Sequence, residues 1–432
     1  MSYFNKIRNT LRESEGRTIL NNFFSLSVIQ GTNFILPLIV LPYLIKIIGL
    51  EKFGLVAFAQ AFMSYFIIFT DYGFNLTATR EIAIHKEDKV KLSSIVNNTL
   101  LTKIILCILS FLLMLVIVSL SPYFSQHKFL YYWSFLLVVG QVLIPTWFFQ
   151  GLEQMKYLTY LNLVAKIIFT VLIFILITKP GDFIYVPILY SLGNIVSGIV
   201  ALALMYQKFN IRFTYPSGFG FIEELKKGGY VFLSHFSINA YINSNLFILG
   251  LFANSIVVGY YSIADKILYV FRQILNVFFN ATYPQACQKA LINHFELKRF
   301  FKKYFYPFLS LTFFLCLLLF VLAESITVFL SGKSVPEITF AIRLLSFVPV
   351  ITCLNIPAFQ TLLAYNFQKS YLTVLAFFSI LNIILNLLLA PAFSMTGTAI
   401  SIILTETFIT AGLYIILITR HKQQTIINPR IL

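Results

Sequence analysis

The sequence predicts an all-α polytopic membrane protein of about twelve transmembrane helices, arranged as two six-helix bundles of parallel repeat. Three observations predict it. The first is composition. Of 432 residues, 59% are hydrophobic and 11% charged, with a mean hydropathy of +0.84, against roughly 45–50% apolar and ~25% charged in soluble domains. A soluble fold cannot hide that much apolar surface. The second is spacing: at about 33–36 residues per helix and loop, apolar runs fill the chain and leave no separate soluble domain. The third is where the charge sits. With both ends placed on the cytoplasmic side, 22 of the 32 Lys and Arg fall on that side, five on the other and five inside spans. That is the positive-inside bias, so the net charge of +16 is topogenic and argues against a nucleic-acid partner.

Taken in order, the N-terminal MSYFNKIRNTLRESEGRTIL is polar and basic, without the short apolar core or small-residue cleavage site of a secretory signal peptide. The first half then reads as spans at 22–45, 53–76, 95–120, 129–150, 158–178 and 183–206. The stretch 207–228, QKFNIRFTYPSGFGFIEELKKG, is the longest polar break, and its Pro, Gly and charges mark a linker. The second half reads as spans at 229–252, 256–284, 304–330, 338–363, 370–390 and 396–418, followed by a short tail. The expected organisation is therefore a bundle over 1–206, a cytoplasmic linker over 207–228 and a second bundle over 229–432. Cys107, Cys287, Cys316 and Cys353 are scattered, with no CxxC or Cys/His cluster, and read as packing residues.

The two halves echo each other. At an offset of 205, Gly54 falls on Gly259, Ala59 on Ala264, Gln60 on Asp265, Asp71 on Asn276 and Asn75 on Asn280. At an offset of 214, Gln154, Tyr157, Leu158 and Thr159 fall on Gln368, Tyr371, Leu372 and Thr373. Two matches in the right order at similar offsets indicate a six-plus-six duplication. An even number of helices per half keeps the copies parallel, and transporters built this way bind substrate between their halves.

Polar residues line helix faces within these spans. In the eighth, Asp265, Tyr269, Arg272, Asn276 and Asn280 fall within about 80° of one another at 100° per residue. Gln60, Ser64, Asp71 and Asn75 repeat this in the second span, His235, Asn239 and Asn243 in the seventh, and Asn162, Lys166 and Thr170 in the fifth. Glu406 lies near mid-depth of the twelfth. The Asn, Ser and Thr members suit hydrogen bonds between helices. A lone charge at mid-depth costs at least ~2.5–3.5 kcal/mol, so Asp265, Lys266, Arg272 and Glu406 read as cavity-lining. Lys103, Arg80 and Glu81 lie near the cytoplasmic boundary, where snorkelling explains them. Within the spans five bases (Lys103, Lys166, Lys266, Arg272, Arg343) stand against three acids (Asp71, Asp265, Glu406). A cavity biased positive suits an anionic substrate, because Lys and Arg pair with phosphate or carboxylate.

Gly49, Phe53-Gly54, Asp71-x-Gly73 and Arg80-Glu81 resemble the first helix pair of bacterial polysaccharide transporters. These are the O-antigen and lipid-linked-oligosaccharide flippases of the superfamily that includes the multidrug and toxin extrusion (MATE) exporters. The stretch Pro391, Gly397-Thr-Ala399 and Glu406 is similar to the Gly-Ala-rich twelfth helix of the same family, and the length, helix number and duplication agree along the whole chain. The resemblance implies a MATE-like fold and translocation of undecaprenyl-diphosphate-linked sugar repeats to the outer face of the bacterial inner membrane by alternating access. Both termini would then be cytoplasmic, and other polysaccharide-assembly membrane proteins would be further partners. Arg272, Lys266, Lys166 and Arg343, with Asn276 and Asn280, would hold the substrate. Asp265, Asp71 or Glu406 would couple an H⁺ or Na⁺ gradient to the cycle, with no cofactor and no metal site. One departure stands out: the family lines its lumen with several arginines, whereas only Arg272 and Arg343 lie in spans here. Two other classes fit the hydropathy. A MATE-type drug or cation antiporter would show an acid-rich lumen. A polysaccharide polymerase or ligase would carry a large outer loop with catalytic Arg or His, and the outer loops here are nearly empty, so catalysis is not expected.

Overall fold

A computed structural model describes residues 2–213, 224–226, 228, 229, 232 and 243–427. Among the described residues no strand occurs. The first helices are α1 Ser2–Asp71, α2 Phe74–Ile84, α3 Lys89–Leu120, α4 Pro122–Ser125, α5 Lys128–Ser134, α6 Leu136–Leu143, α7 Thr146–Gly151, α8 Met155–Leu176 and α9 Tyr185–Lys208. They are followed by α10 Asn243–Phe252, α11 Ser255–Ile292, α12 His294–Val321, α13 Ala323–Ser331, α14 Pro336–Leu345, α15 Val348–Ala364 and α16 Gln368–Ile427. Eight described helical stretches are long and apolar enough to cross a membrane. Two of them, Leu36–Ile84 and Gln368–Thr419, contain a non-helical residue that divides a long helix into two arms, Gly49 in α1 and Ser394 in α16. With α10 and α11, which is long enough to cross but too polar for that set, the count is consistent with twelve. The chain is a multi-pass membrane protein.

The helices belong to two compact units, Leu36–Gly259 and Met1–Ile35 with Tyr260–Leu432. These cuts differ from the sequence boundaries at 206/207 and 228/229. The arm 2–35 groups with the second half, and α10 with the first residues of α11 groups with the first half. Half of the linker 207–228, and with it His235 and Asn239, lies outside the described residues.

In the unit Leu36–Gly259, α1 bends at Gly49 (φ 80°), a left-handed conformation that glycine adopts without penalty. The second arm ends at Asp71, because Tyr72 and Gly73 both take positive φ (44° and 80°). The helix expected to run to 76 therefore breaks, and α2 restarts from Phe74. α3 starts where Asp88 accepts from the backbone N–H of Val90 and Lys91, both at 3.1 Å, an N-cap placing a carboxylate at the positive end of the helix. The fourth expected span is three short helices, α5 to α7, with Pro145 preceding the last. The core of this unit joins Phe74, Ile82, Val96, Trp147, Phe148 and Phe149, all with negligible exposure. A second aromatic cluster seats Phe247 of α10 on Phe58 and Phe62 at 5.5 and 5.7 Å, which ties α10 to this unit.

One crossing in this unit carries the imprint of the repeat. A methyl group on Gly54 would fall inside the carbonyl oxygen of Ser255, and one on Gly259 would lie 2.5 Å from that of Leu50. Gly54 and Gly259 are 205 apart, and so are Leu50 and Ser255. Each contact is the other with its partners exchanged, which is the reciprocity a local two-fold axis imposes. The backbones approach this closely because neither glycine has a side chain.

The other unit packs α15 against α16 and α12. Its last two expected spans form a hairpin at Ser394, and its facing sides carry buried polar pairs: Asn382 Nδ2 donates to Thr405 Oγ1 at 3.1 Å and Thr398 Oγ1 to Asn386 Oδ1 at 3.0 Å. Gly397 lets the returning arm pass the carbonyl of Leu389. The turns that open α8 and α16 share one hydrogen-bond pattern. Gln154 N–H donates to Phe149 O at 2.7 Å and Phe367 N–H to Leu362 O at 2.8 Å, with Glu153 (φ 59°) and Asn366 (φ 61°) left-handed. These positions correspond at an offset of 213, one less than the sequence match at Gln154 and Tyr157.

Candidate functional site

The polar stripe of α11 lies on the open side of that helix. Asp265, Lys266 and Arg272 are half-buried, and Tyr269, Asn276 and Asn280 are exposed. Leu268, Leu275, Val277, Phe278 and Ala281 supply the packed side. An apolar helix face left open in a membrane protein meets lipid, whereas ionisable residues inside spans face the bundle interior or a water-filled cavity. The second arm of α1 repeats the pattern: Gln60, Ser64 and Asp71 are half-buried, and Phe58, Ala59, Phe62, Met63 and Phe66 are buried.

Among the described residues, an ion pair lies inside the spans of each unit. In Met1–Ile35 with Tyr260–Leu432, Arg272 Nη2 donates to Glu406 Oε1 at 3.5 Å, joining α11 to the second arm of α16. The side chains are 17% and 7% exposed, and the separation is long for a charge-assisted bond, whose usual range is about 2.7–2.9 Å. The pair is made but not tight. Lys266 adjoins Asp265 and Arg272 follows seven residues after it on the same helix, so the substrate and coupling residues expected on α11 share one stretch of helix. An aromatic stack stands beside them, with Tyr371 on Phe359 at 3.9 Å, Phe359 on Phe279 at 4.7 Å and Phe279 on Tyr283 at 5.5 Å between ring centres. Buried Gln360 donates to Phe279 O at 3.1 Å and to Thr282 Oγ1 at 2.8 Å, locking α15 to α11.

In Leu36–Gly259, Lys103 Nζ lies 3.7 Å from Asp71 Oδ1, and Asn75 Nδ2 donates to both carboxylate oxygens at 2.9 and 3.0 Å. Lys103 is only 3% exposed against 25% for Asp71. This corrects the snorkelling reading of Lys103: its ammonium stays inside the unit because the helix break at Tyr72 and Gly73 presents Asp71 and Asn75 to it. Sequence spacing could not reveal this, since the pair spans two helices.

The remaining expected residues are placed as follows. Lys166 is half-buried on α8, in Leu36–Gly259, whereas Arg272, Lys266 and Arg343 belong to the other unit. Arg343 Nε donates to Phe320 O at 3.4 Å, and its guanidinium lies 5.6 Å from the centre of the Phe320 ring. Phe320 and the adjoining Phe347 are both exposed, so Arg343 sits on an aromatic rim of α12 and α14. The hairpin pairs Asn382–Thr405 and Asn386–Thr398 were missed, although the i, i+4 asparagines facing a Thr/Ser series were a readable signal.

Comparisons with known proteins agree with this architecture. A family model described as polysaccharide biosynthesis protein matches residues 19–288. A protein of Escherichia coli strain K12 named "Putative O-antigen transporter" is 31% identical over 405 residues, covering 91% of this chain and 95% of that one. One of the same name from Shigella dysenteriae is 29% identical over 265 residues, 61% of this chain and 66% of that one. Among solved structures, the inward-facing form of a multidrug resistance MATE family transporter of the MOP superfamily superposes with a TM-score of 0.63 at 14% identity, over 89% of this chain and 97% of that one. A MOP superfamily transporter from Pyrococcus furiosus, described as having a binding pocket of reverse polarity, gives 0.62 at 13% identity over 95% and 96%. At such identities the structures show the fold, which is MATE-like.

Proposed function

This chain belongs to the polysaccharide biosynthesis protein family, and we propose on that footing that it is a flippase for lipid-linked polysaccharide repeat units. The substrate is an undecaprenyl-diphosphate-linked oligosaccharide, carried from the cytoplasmic to the periplasmic face of the inner membrane by alternating access, with both termini cytoplasmic. Other polysaccharide-assembly membrane proteins are its further partners. A relative named as an O-antigen transporter, matched over 91% of this chain, supports the substrate class. The observation that carries the mechanism is the loose Arg272–Glu406 pair on the open polar face of α11.

A diphosphate is a bidentate acceptor of the kind a guanidinium prefers. It competes with Glu406 for Arg272, and Lys266, six residues earlier on α11, adds a second cation. Asn276 and Asn280 present amides for sugar hydroxyls further along the same face, while Lys166 and Arg343 serve the headgroup at other stages of the cycle. Protonation of Glu406, or a cation bound by it, removes Arg272's competitor. That exchange links a gradient to substrate capture, with Asp265 and Asp71 as the other titratable carboxylates.

The test is reconstitution. Purified protein in liposomes is given a lipid-diphosphate-linked oligosaccharide, and its exposure on the far leaflet is scored with and without a pH or Na⁺ gradient. Gradient-stimulated flipping is expected, with a fall of at least tenfold in Arg272→Ala and Lys266→Ala expressed at wild-type level, from loss of one charge-assisted contact each. Normal transport by both variants refutes the site. Export of small organic cations without flipping moves the function to drug antiport on the same fold.

A further inference from the structure

Away from the polar stripes, a groove of about 680 Å³ opens between α12, α15 and α16. One wall is a single face of α12, at spacings of three and four residues: His294, Lys298 and Lys302 alternate with Leu297 and Phe301, and Phe305 with Tyr306 closes the far end. The face runs about 18 Å along the helix. Pro357 and Thr361 of α15 and Tyr414 and Leu417 of α16 form the opposite wall. The groove is therefore basic at one end and apolar at the other. Lys298 and Lys302 are exposed, and the acid nearest in sequence, Glu296, is engaged by Arg299 at 3.9 Å. Tyr414 is held in place by its hydroxyl, which donates to Leu354 O at 3.1 Å.

The basic end adjoins the turn between α11 and α12, where Lys289, Lys298, Arg299, Lys302 and Lys303 cluster, a loop that the positive-inside bias assigns to the cytoplasm. That leaflet is where anionic lipids concentrate and where basic residues attract them. The volume suits a small amphiphile and is too small for a partner helix. Apart from Thr361 and two tyrosines the lining offers no hydroxyl- or amide-rich surface for sugars. We propose that this groove binds one anionic phospholipid of the cytoplasmic leaflet, its phosphate between Lys298 and Lys302 and an acyl chain along Phe301, Phe305 and Leu417.

Binding is read without turnover, so the proposal stands apart from the flippase reading. The full-length protein in neutral detergent is titrated with phosphatidylglycerol, and retained lipid is counted by native mass spectrometry. Wild type is expected to retain one tightly bound lipid. The K298Q/K302Q double variant is expected to bind it about thirtyfold more weakly, with recovery in K298R/K302R. L417W, which narrows the groove from its α16 wall and leaves both lysines, is expected to lose it as well. K303Q is expected to bind normally, because Lys303 leans over the Tyr304 ring at 4.9 Å and does not line the groove. Equal weakening in K303Q, unchanged binding in K298Q/K302Q, retention of phosphatidylcholine as strong as that of phosphatidylglycerol, or displacement of phosphatidylglycerol by equimolar undecaprenyl phosphate would each overturn it.

Discussion

Lys103 has a stem long enough to reach the membrane boundary, yet its ammonium turns inward to Asp71 and is 3% exposed. Removing one partner of a buried pair leaves the other charge uncompensated, which costs more than removing both. Asp71 keeps Asn75 and some exposure, so Lys103→Met is expected to destabilise the protein by about 3 kcal/mol, the low end for such a pair. Lys103→Met with Asp71→Leu is expected to recover most of that. Thermal unfolding of the four variants in one detergent reads the coupling directly, and additive losses would show that the pair contributes nothing. The same residues show what the chain made legible. The presence and sign of charge inside spans could be read, because a mid-depth charge is anomalous in any register. The partners could not: Arg272 with Glu406 and Asp71 with Lys103 both join separate helices, and helix rotation leaves no trace in spacing.

At the scale of elements, the apolar runs predicted where helices lie because bilayer thickness sets their length. They were weaker on where helices break. The break at Tyr72 and the division of the fourth span into α5 to α7 both fall inside expected spans, where hydropathy has little contrast to report. The offset of 205 was more informative than it looked, since Gly54 and Gly259 proved to be in mutual contact. Because the approach is backbone to backbone, neither helix has a flexible side chain to yield. Gly259→Ala is expected to push α11 from α1 and cost about 1–3 kcal/mol, the range for overpacking. Gly54→Ala is expected to cost as much or more, given the closer approach to the Ser255 carbonyl. Gly181, with open space around it, is the control, and alanine there is expected to be neutral. Unfolding midpoints that fail to separate Gly54 and Gly259 from Gly181 would show that the crossing tolerates a methyl group.

For the whole molecule, the charge inventory of the spans reads differently once pairing is known. Lys103–Asp71 and Arg272–Glu406 are each neutral as pairs, so Arg272 is not itself part of a standing positive excess. Under the proposed mechanism it becomes an anion site only when Glu406 stops competing. A carboxylate that must be neutralised before substrate is held makes capture depend on the coupling ion. On that mechanism Glu406→Gln removes the dependence by replacing the carboxylate that competes for Arg272. In proteoliposomes this variant is expected to bind the lipid-linked substrate at least as tightly as wild type, while flipping loses its response to an imposed H⁺ or Na⁺ gradient. Asp265→Asn is the comparison: the 3.5 Å contact of Arg272 is with Glu406, so substitution at Asp265 is expected to change the size of the gradient response without abolishing it. A Glu406→Gln protein that still answers the gradient as wild type does would remove Glu406 from coupling and leave Asp265 and Asp71 to carry it.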